Sequence, residues 1–105
     1  MGIEFDFTSL DTAVNGPVRL GVLVALQMDG VLDFTSLKKR LNATDGALGT
    51  HLQKLEEIGY IKSHKAFVEK RPKTTYRITA GGRNALNEYL SAMQRIADAI
   101  RLKQW

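Results

Sequence analysis

The sequence contains no cysteine, only two prolines and a single tryptophan among its 105 residues. The lack of cysteine excludes disulfides, thiolate zinc sites and thiol redox switches, and it fits a reducing compartment. The longest uninterrupted apolar stretch, Val22 to Leu26, is far shorter than the roughly 20 residues of a membrane-spanning helix. The N-terminus has no basic region leading into an apolar one, as a secretory signal would. We therefore expect a cytoplasmic protein with no membrane partner.

Reactive side-chain arrangements are also absent from the sequence. It contains no Ser/His/Asp arrangement, no pair of catalytic carboxylates and no phosphate-binding glycine loop. The two histidines, His51 and His64, have no cysteine and no acid at ligand spacing around them. Because zinc sites are built from such ligands, we predict no metal site and no cofactor. No catalytic residue is predicted, and we do not expect an enzyme.

Positive charge is concentrated in one segment of the chain. The net charge is +4 overall, but residues 60–83 hold seven lysines and arginines against Glu69 as their single acid, a net of +6. Residues 1–30 carry a net charge of −3. Such a local excess of cations indicates a surface that binds a polyanion.

The first long helix is predicted directly after a turn signal. Asn15-Gly16-Pro17 places a proline at a favoured first helical position. Residues 18–28 are apolar almost all round, which predicts a central buried helix ending at Asp29-Gly30. The segment before this helix is compatible with a short helix or with an extended arm, and the sequence does not decide between them.

A brief strand and two amphipathic helices follow. Residues 31–33 suffice for a very short strand, and residues 34–41 then place apolar side chains at helical spacing. Thr44 is positioned as the N-cap of a third helix, which Gly59 ends. The apolar stripe of this third helix consists of Leu48, Leu52, Leu55 and Ile58.

The basic segment has the pattern of a β-hairpin. Residues 60–63 and 74–79 are predicted as strands, the second one β-branched and alternating. Residues 66–73 between them are polar and basic and include Pro72, so we expect a long charged tip. From Ala80 onward apolar residues recur at steps of four and three, which predicts a long helix.

This order of helices, basic hairpin and long final helix is that of a winged helix-turn-helix. The predicted fold class is mainly α with a small β-hairpin wing (α+β) and a long C-terminal helix. We divide the chain into an N-terminal arm or short helix (1–15), a winged helix-turn-helix domain that binds DNA (16–79) and a C-terminal dimerisation helix (80–105).

The exposed side of the third helix is small and polar in its N-terminal half. A helix that enters the major groove needs polar side chains to read base edges and small residues to allow close approach. Any solvated helix face is also polar, so the pattern leaves both interpretations open. The candidate DNA-binding residues on this helix and its flank are Thr44, Gly46, Ala47, Thr50, His51, Gln53 and Lys54.

The hairpin supplies a second set of candidates. Lysine and arginine side chains of a wing neutralise phosphates, and threonine hydroxyls donate to phosphate oxygens. A charged hairpin can also serve only to protect a sheet edge from aggregation, although this excess of cations exceeds that need. The candidate wing residues are Lys65, Lys70, Arg71, Lys73, Thr74 and Thr75.

The last helix keeps its apolar stripe to the end of the chain, where a monomer would turn polar. Burial against the same stripe of a second copy would give a two-fold dimer. Two recognition helices favour a pseudo-palindromic duplex with half-site centres about 10 bp apart. The alternative is that the stripe packs back onto the first helix of its own chain. The candidate interface residues are Leu86, Leu90, Met93, Ala97, Ile100 and Trp105.

Four stretches resemble winged-helix regulators related to the MarR and ArsR types, namely residues 15–20, 33–38, 44–61 and 71–83. The resemblance spans residues 15 to about 90. It implies a dimeric cytoplasmic repressor or activator whose third helix and wing bind double-stranded DNA. Gly49 departs from the family pattern, which usually has Leu or Val and then Ser at this place. The cysteine pairs of metal-sensing members are absent, so a metal response is not implied.

The main alternative function is a winged helix used for protein–protein interaction within a larger transcription or replication assembly. The basic wing argues against it, because binding a protein does not need such charge. RNA binding is disfavoured because the third helix lacks interleaved aromatic residues that stack on unpaired bases. The sequence identifies no small-molecule effector, which would have to bind between the terminal helices.

Overall fold

The computed structural model describes residues 5–103. Its elements are a 3₁₀ helix Phe7–Ser9, α1 Pro17–Asp29, β1 Leu32–Asp33, α2 Phe34–Leu41, α3 Asp45–Ile58, β2 Ile61–Val68, β3 Arg71–Ile78 and α4 Ala80–Lys103. The strands form an antiparallel sheet in the order β1-β3-β2. The predicted fold class, a winged helix with a long C-terminal helix, is confirmed. Within the described residues no helix is long and apolar enough to cross a membrane.

The helix boundaries follow from capping residues that the sequence identifies. Asp33 caps α2 by accepting a hydrogen bond from the Ser36 backbone N–H at 2.8 Å. Thr44 caps α3, as predicted, by accepting from the Ala47 backbone N–H at 3.2 Å. Gly59 ends α3 with a φ of 91°, a left-handed conformation that suits glycine. The predicted limits of α1, α2, α3 and α4 are confirmed.

The core forms around α1, which contacts every other long helix and β3. Gly21 lies where α1 meets α2, and a Cβ at this position would stand 2.5 Å from Cδ2 of Leu41. The close approach of these two helices therefore depends on a missing side chain. The largest fully buried residues are Leu23, Leu26, Leu37, Leu48, Leu55, Ile61, Leu86, Val14 and Val22.

The start of α4 is locked to the end of α3. The Thr79 hydroxyl donates to the Gly59 carbonyl at 2.6 Å and accepts from the Gly82 N–H at 3.0 Å. A Cβ on Gly82 would lie 2.1 Å from the Tyr60 carbonyl oxygen. Our sequence analysis gave Gly82 no packing role, but its lack of a side chain is what lets the two segments approach.

The N-terminal segment packs against the domain and is not a free arm. Val14 is fully buried, and the Tyr89 hydroxyl donates to Oδ1 of Asn15 at 3.0 Å. The Tyr60 hydroxyl donates to the Asp11 carboxylate at 2.5 Å, and this bond, with burial, raises the pKa of Tyr60 to about 12. Residues 5–15 thus contribute to the same core as residues 16–79.

The hairpin differs from the sequence prediction. The strands extend to Val68 and resume at Arg71, so the expected long charged tip is wrong and the turn has only two residues. Glu69 and Lys70 both have positive φ, 52° and 64°, as in a type I′ turn. Pro72 lies opposite Phe67, in a pair that makes no ladder hydrogen bond in a hairpin of this kind, so its missing N–H costs none.

The two halves of α4 have different surroundings. The last buried residue of the described helix is Ala92, and the core takes up its first half. Leu86 is 1% exposed in this core and is unavailable to a second copy, so its prediction as an interface residue is wrong. Leu90 and Ile100 are 44% and 47% exposed. Trp105 lies outside the described residues.

Candidate nucleic-acid interface

The exposed side of α3 is polar along its length. Leu48, Leu52 and Leu55 are buried, which turns Thr50, Gln53 and Lys54 to solvent on the other side. Helical periodicity therefore brings together the predicted base-reading side chains. Gln53 and Lys54 form no hydrogen bond or ion pair with any other residue of 5–103, and their polar groups are available to a ligand.

The N-terminal half of α3 is stripped of side-chain bulk. Gly46 and Gly49 lie inside the helix, and a Cβ on either would meet no heavy atom of the described chain within 4 Å. Ala47 between them is exposed. Glycine inside a helix is unfavourable by about 0.5–1 kcal/mol relative to alanine. Since the fold does not need these glycines for packing, close approach of an outside molecule is the physical reason that suits them.

Two threonines on α3 are already engaged in local hydrogen bonds. Thr44 uses its hydroxyl oxygen to cap the helix, so only its hydroxyl proton is free for a phosphate oxygen. The Thr50 hydroxyl donates to the Gly46 carbonyl at 2.9 Å. In this rotamer Thr50 offers an acceptor and a methyl group, which suit an exocyclic amine and a thymine methyl of the major groove.

The wing candidates are divided between two faces of the hairpin. Side chains alternate along a strand, so residues directly opposite each other share a face. Lys65 and Thr74 are opposite partners on the face that is buried at its base by the core. Arg71, Lys73 and Thr75 alternate with Thr74 and lie on the outer face. The sequence had placed all of these side chains together around one loop.

One predicted wing cation contacts an acid of the same chain. Nζ of Lys73 lies 3.5 Å from the Asp33 carboxylate. Hydrogen bonding from Ser36, with a smaller contribution from the charge of Lys73, lowers the pKa of Asp33 below its ordinary value. Lys65, Lys70 and Arg71 form no ion pair within residues 5–103, so they are free to neutralise phosphates.

Two further cations escaped the sequence analysis as a pair. Lys62 and Arg77 are directly opposite each other on the outer face, both exposed and without an ion pair among the described residues. Like charges directly opposite destabilise a hairpin, and a bound polyanion would offset this repulsion. Their proximity could be recognised only from the register, which depends on the unpredicted two-residue turn.

The histidines do not form a metal centre in the part of the chain that the structure describes, where no group of His, Cys, Asp or Glu could hold an ion. His51 is half-buried on the flank of α3, and His64 is exposed on β2. His51 lies beside the exposed polar face of α3 and is separate from the wing.

The comparisons with known proteins agree with this geometry. Residues 18–97 match the winged helix DNA-binding domain family. An uncharacterised protein of Methanocaldococcus jannaschii is 37% identical over 86 residues, which are 82% of this chain and 94% of that protein.

Two solved structures have the same fold over most of their length. A transcriptional regulator homologue from Pyrococcus horikoshii OT3 is similar with a TM-score of 0.78 and 31% identity, over 84% of this chain and 87% of that one. A regulator of the MarR family from Enterococcus faecalis V583 is similar with a TM-score of 0.71 and 25% identity, over 98% and 96% of the two chains. These proteins are regulators and not enzymes, and the resemblance to winged-helix regulators is confirmed. This chain belongs to the winged helix DNA-binding domain family.

Proposed function

We propose that this protein is a cytoplasmic transcriptional regulator that binds a pseudo-palindromic DNA duplex as a homodimer. The observation that carries the proposal is the pairing of two surfaces. The exposed polar face of α3 has glycines at Gly46 and Gly49 that packing does not require, and the next element in the chain is a hairpin whose cations have few acidic partners.

In this proposal α3 enters the major groove and reads bases. The Gln53 amide can form a bidentate contact with adenine, and Lys54 can donate to guanine. Thr50 contacts an amine or a thymine methyl. Gly46 and Gly49 let the helix backbone approach the groove without a clash. The half-buried His51 contacts the backbone from the flank of the helix.

The wing supplies the contacts that do not depend on sequence. Lys65, Lys70 and Arg71 neutralise phosphates, and Lys73 does so after it exchanges Asp33 for a phosphate oxygen. Thr74 and Thr75 lie on opposite faces of the hairpin, so at most one of them contacts a given strand of the duplex at a time. These contacts position the protein, and α3 then reads the site.

The test is to select bound duplexes from a fragmented genomic library and then measure affinity for the selected site at increasing salt. If a dimer contacts roughly six to ten phosphates, affinity should fall by about 10³ to 10⁵ between about 50 and 200 mM salt. Arg71→Ala should weaken binding to selected and random duplexes alike and lower the salt slope by about one.

The matched variant Gln53→Ala leaves the charge unchanged. It should cost about 1–3 kcal/mol on the selected site and little on random DNA, with the salt slope unchanged. Affinity that stays constant across the salt range would contradict DNA binding altogether. Equal losses on both duplexes with Gln53→Ala would contradict base reading by α3.

A further inference from the structure

An exposed apolar pair lies at the end of the wing. Phe67 is 79% exposed although it belongs to a regular strand, and its cross-strand partner is Pro72. A large aromatic side chain at the tip of a small hairpin adds nothing to the core, which lies at the opposite end of the strands. Its exposure therefore calls for a contact outside the described chain.

The register shows which way this pair faces. Ser63 is on the same face of β2 as Phe67, since they are four residues apart. The Ser63 hydroxyl and N–H donate to the Glu56 carboxylate of α3, at 2.7 and 3.1 Å. Phe67 and Pro72 thus lie on the α3 side of the hairpin, about 13 Å beyond Ser63 at roughly 3.3 Å per residue.

The charges around the pair identify its partner as a polyanion. Lys65 shares the face of Phe67, Lys70 is in the turn, and Arg71 is next to Pro72. None of these three cations forms an ion pair among residues 5–103. An apolar side chain ringed by cations is suited to a groove whose walls are phosphates and whose floor is formed by stacked bases.

We propose that Phe67, supported by Pro72, inserts into the minor groove beside the segment read by α3 and partly unstacks one base step, which bends the duplex. This inference rests on the proposed function. Phenylalanine and proline are among the apolar wedges that kink DNA from the minor groove. Pyrimidine–purine steps unstack most easily, so such a step is favoured at the point of insertion.

The experiment compares Phe67→Ser with Val68→Ser on the selected duplex. Val68 is the next residue, is 48% exposed and lies on the opposite face, so it is the matched control. The duplex carries 2-aminopurine at a flanking TA step and a fluorophore pair at its ends. The wild type and Val68→Ser should raise the 2-aminopurine signal and shorten the end-to-end distance.

Phe67→Ser should lose both signals and bind severalfold more weakly, with an unchanged salt slope because no cation is removed. Phe67→Trp should retain the bend, and thermal unfolding should be the same for all variants because the side chain is exposed. Full bending and unstacking by Phe67→Ser would overturn the wedge. A loss of dimer mass in Phe67→Ser would also overturn it, by assigning Phe67 to a protein contact.

The Arg71→Ala variant separates this inference from the proposed function. If Arg71→Ala lowers the salt slope while Phe67→Ser bends DNA like the wild type, only the wedge is wrong. If neither variant nor the wild type binds any selected duplex, the proposed function itself is wrong.

Discussion

At the scale of single residues, the glycines of α3 are where stability and binding are expected to oppose each other. Gly49 departs from the usual family pattern, and a Cβ there would enter space that the described chain leaves open. Alanine has a higher helix propensity than glycine by about 0.8–1.0 kcal/mol. The fold alone would therefore favour alanine at this position.

We expect Gly49→Ala to raise the free energy of unfolding by about 1 kcal/mol and yet to weaken DNA binding, because the added methyl group keeps α3 from its closest approach. Chemical denaturation and a binding titration measure the two effects. Gly81→Ala is the matched control, since its Cβ would meet only ordinary contacts at 3.8 Å in α4. It should leave DNA affinity unchanged. Unchanged affinity in Gly49→Ala as well would show that close approach does not explain Gly49.

At the scale of elements, the helices could be predicted because each has a local start and stop signal. Thr44 and Gly59 delimit α3 from the sequence alone, and both act as predicted. The wing strands have no such signal. Their turn is Glu69-Lys70 rather than the Asn-Gly pair typical of type I′, and Pro72 argues against a strand unless its place in the ladder is known.

Non-local contacts explain the other residues that sequence analysis missed. Gly82 is required only because the Tyr60 carbonyl comes within 2.1 Å of where its Cβ would be. Lys62 and Arg77 become neighbours through the hairpin register alone. Both relations join residues that are distant in sequence, so periodicity and capping patterns cannot reveal them.

The wing turn leads to a prediction at the same scale. Glu69 and Lys70 both occupy the left-handed region, which costs residues with a side chain roughly 1 kcal/mol or more each. Replacing them together by Asn and Gly should stabilise the protein by about 1 kcal/mol, and raise the melting temperature by about 4–8 °C. The same double variant should lower the salt slope of DNA binding, because Lys70 is lost.

Glu69→Asn alone is the control, because it relieves part of the strain and retains Lys70. It should raise the melting temperature by a smaller amount and leave the salt slope of the wild type. A melting temperature below that of the wild type in the double variant would mean that the turn is not the strained type I′ geometry described above.

At the scale of the whole molecule, the chain is elongated. Its principal extents are 61 × 24 × 22 Å, and α4 alone spans 24 residues, or roughly 36 Å. The core of the chain covers this helix up to Ala92. The alternative that the α4 stripe packs on its own chain therefore holds for the first half of the helix, while Ile100 in the second half stays exposed.

An elongated monomer with this exposed stripe leads to the last prediction. We expect the protein to have twice the mass of one chain in light scattering, with Leu90, Ala97 and Ile100 buried against the same residues of a second copy. Leu90→Asp with Ile100→Asp should produce monomers, because a dimer would bury the two carboxylates without partners. Both side chains are about half exposed, so the monomer should stay folded. Asn84→Asp with Ser91→Asp adds the same charge on another exposed side of α4 and should remain dimeric. The monomeric variant should bind one half-site as well as the wild type does and the full pseudo-palindrome much more weakly, since only a dimer presents two α3 helices about 10 bp apart. A wild type that is monomeric at tens of micromolar, or a Leu90/Ile100 variant that stays dimeric, would place the interface elsewhere than on this stripe.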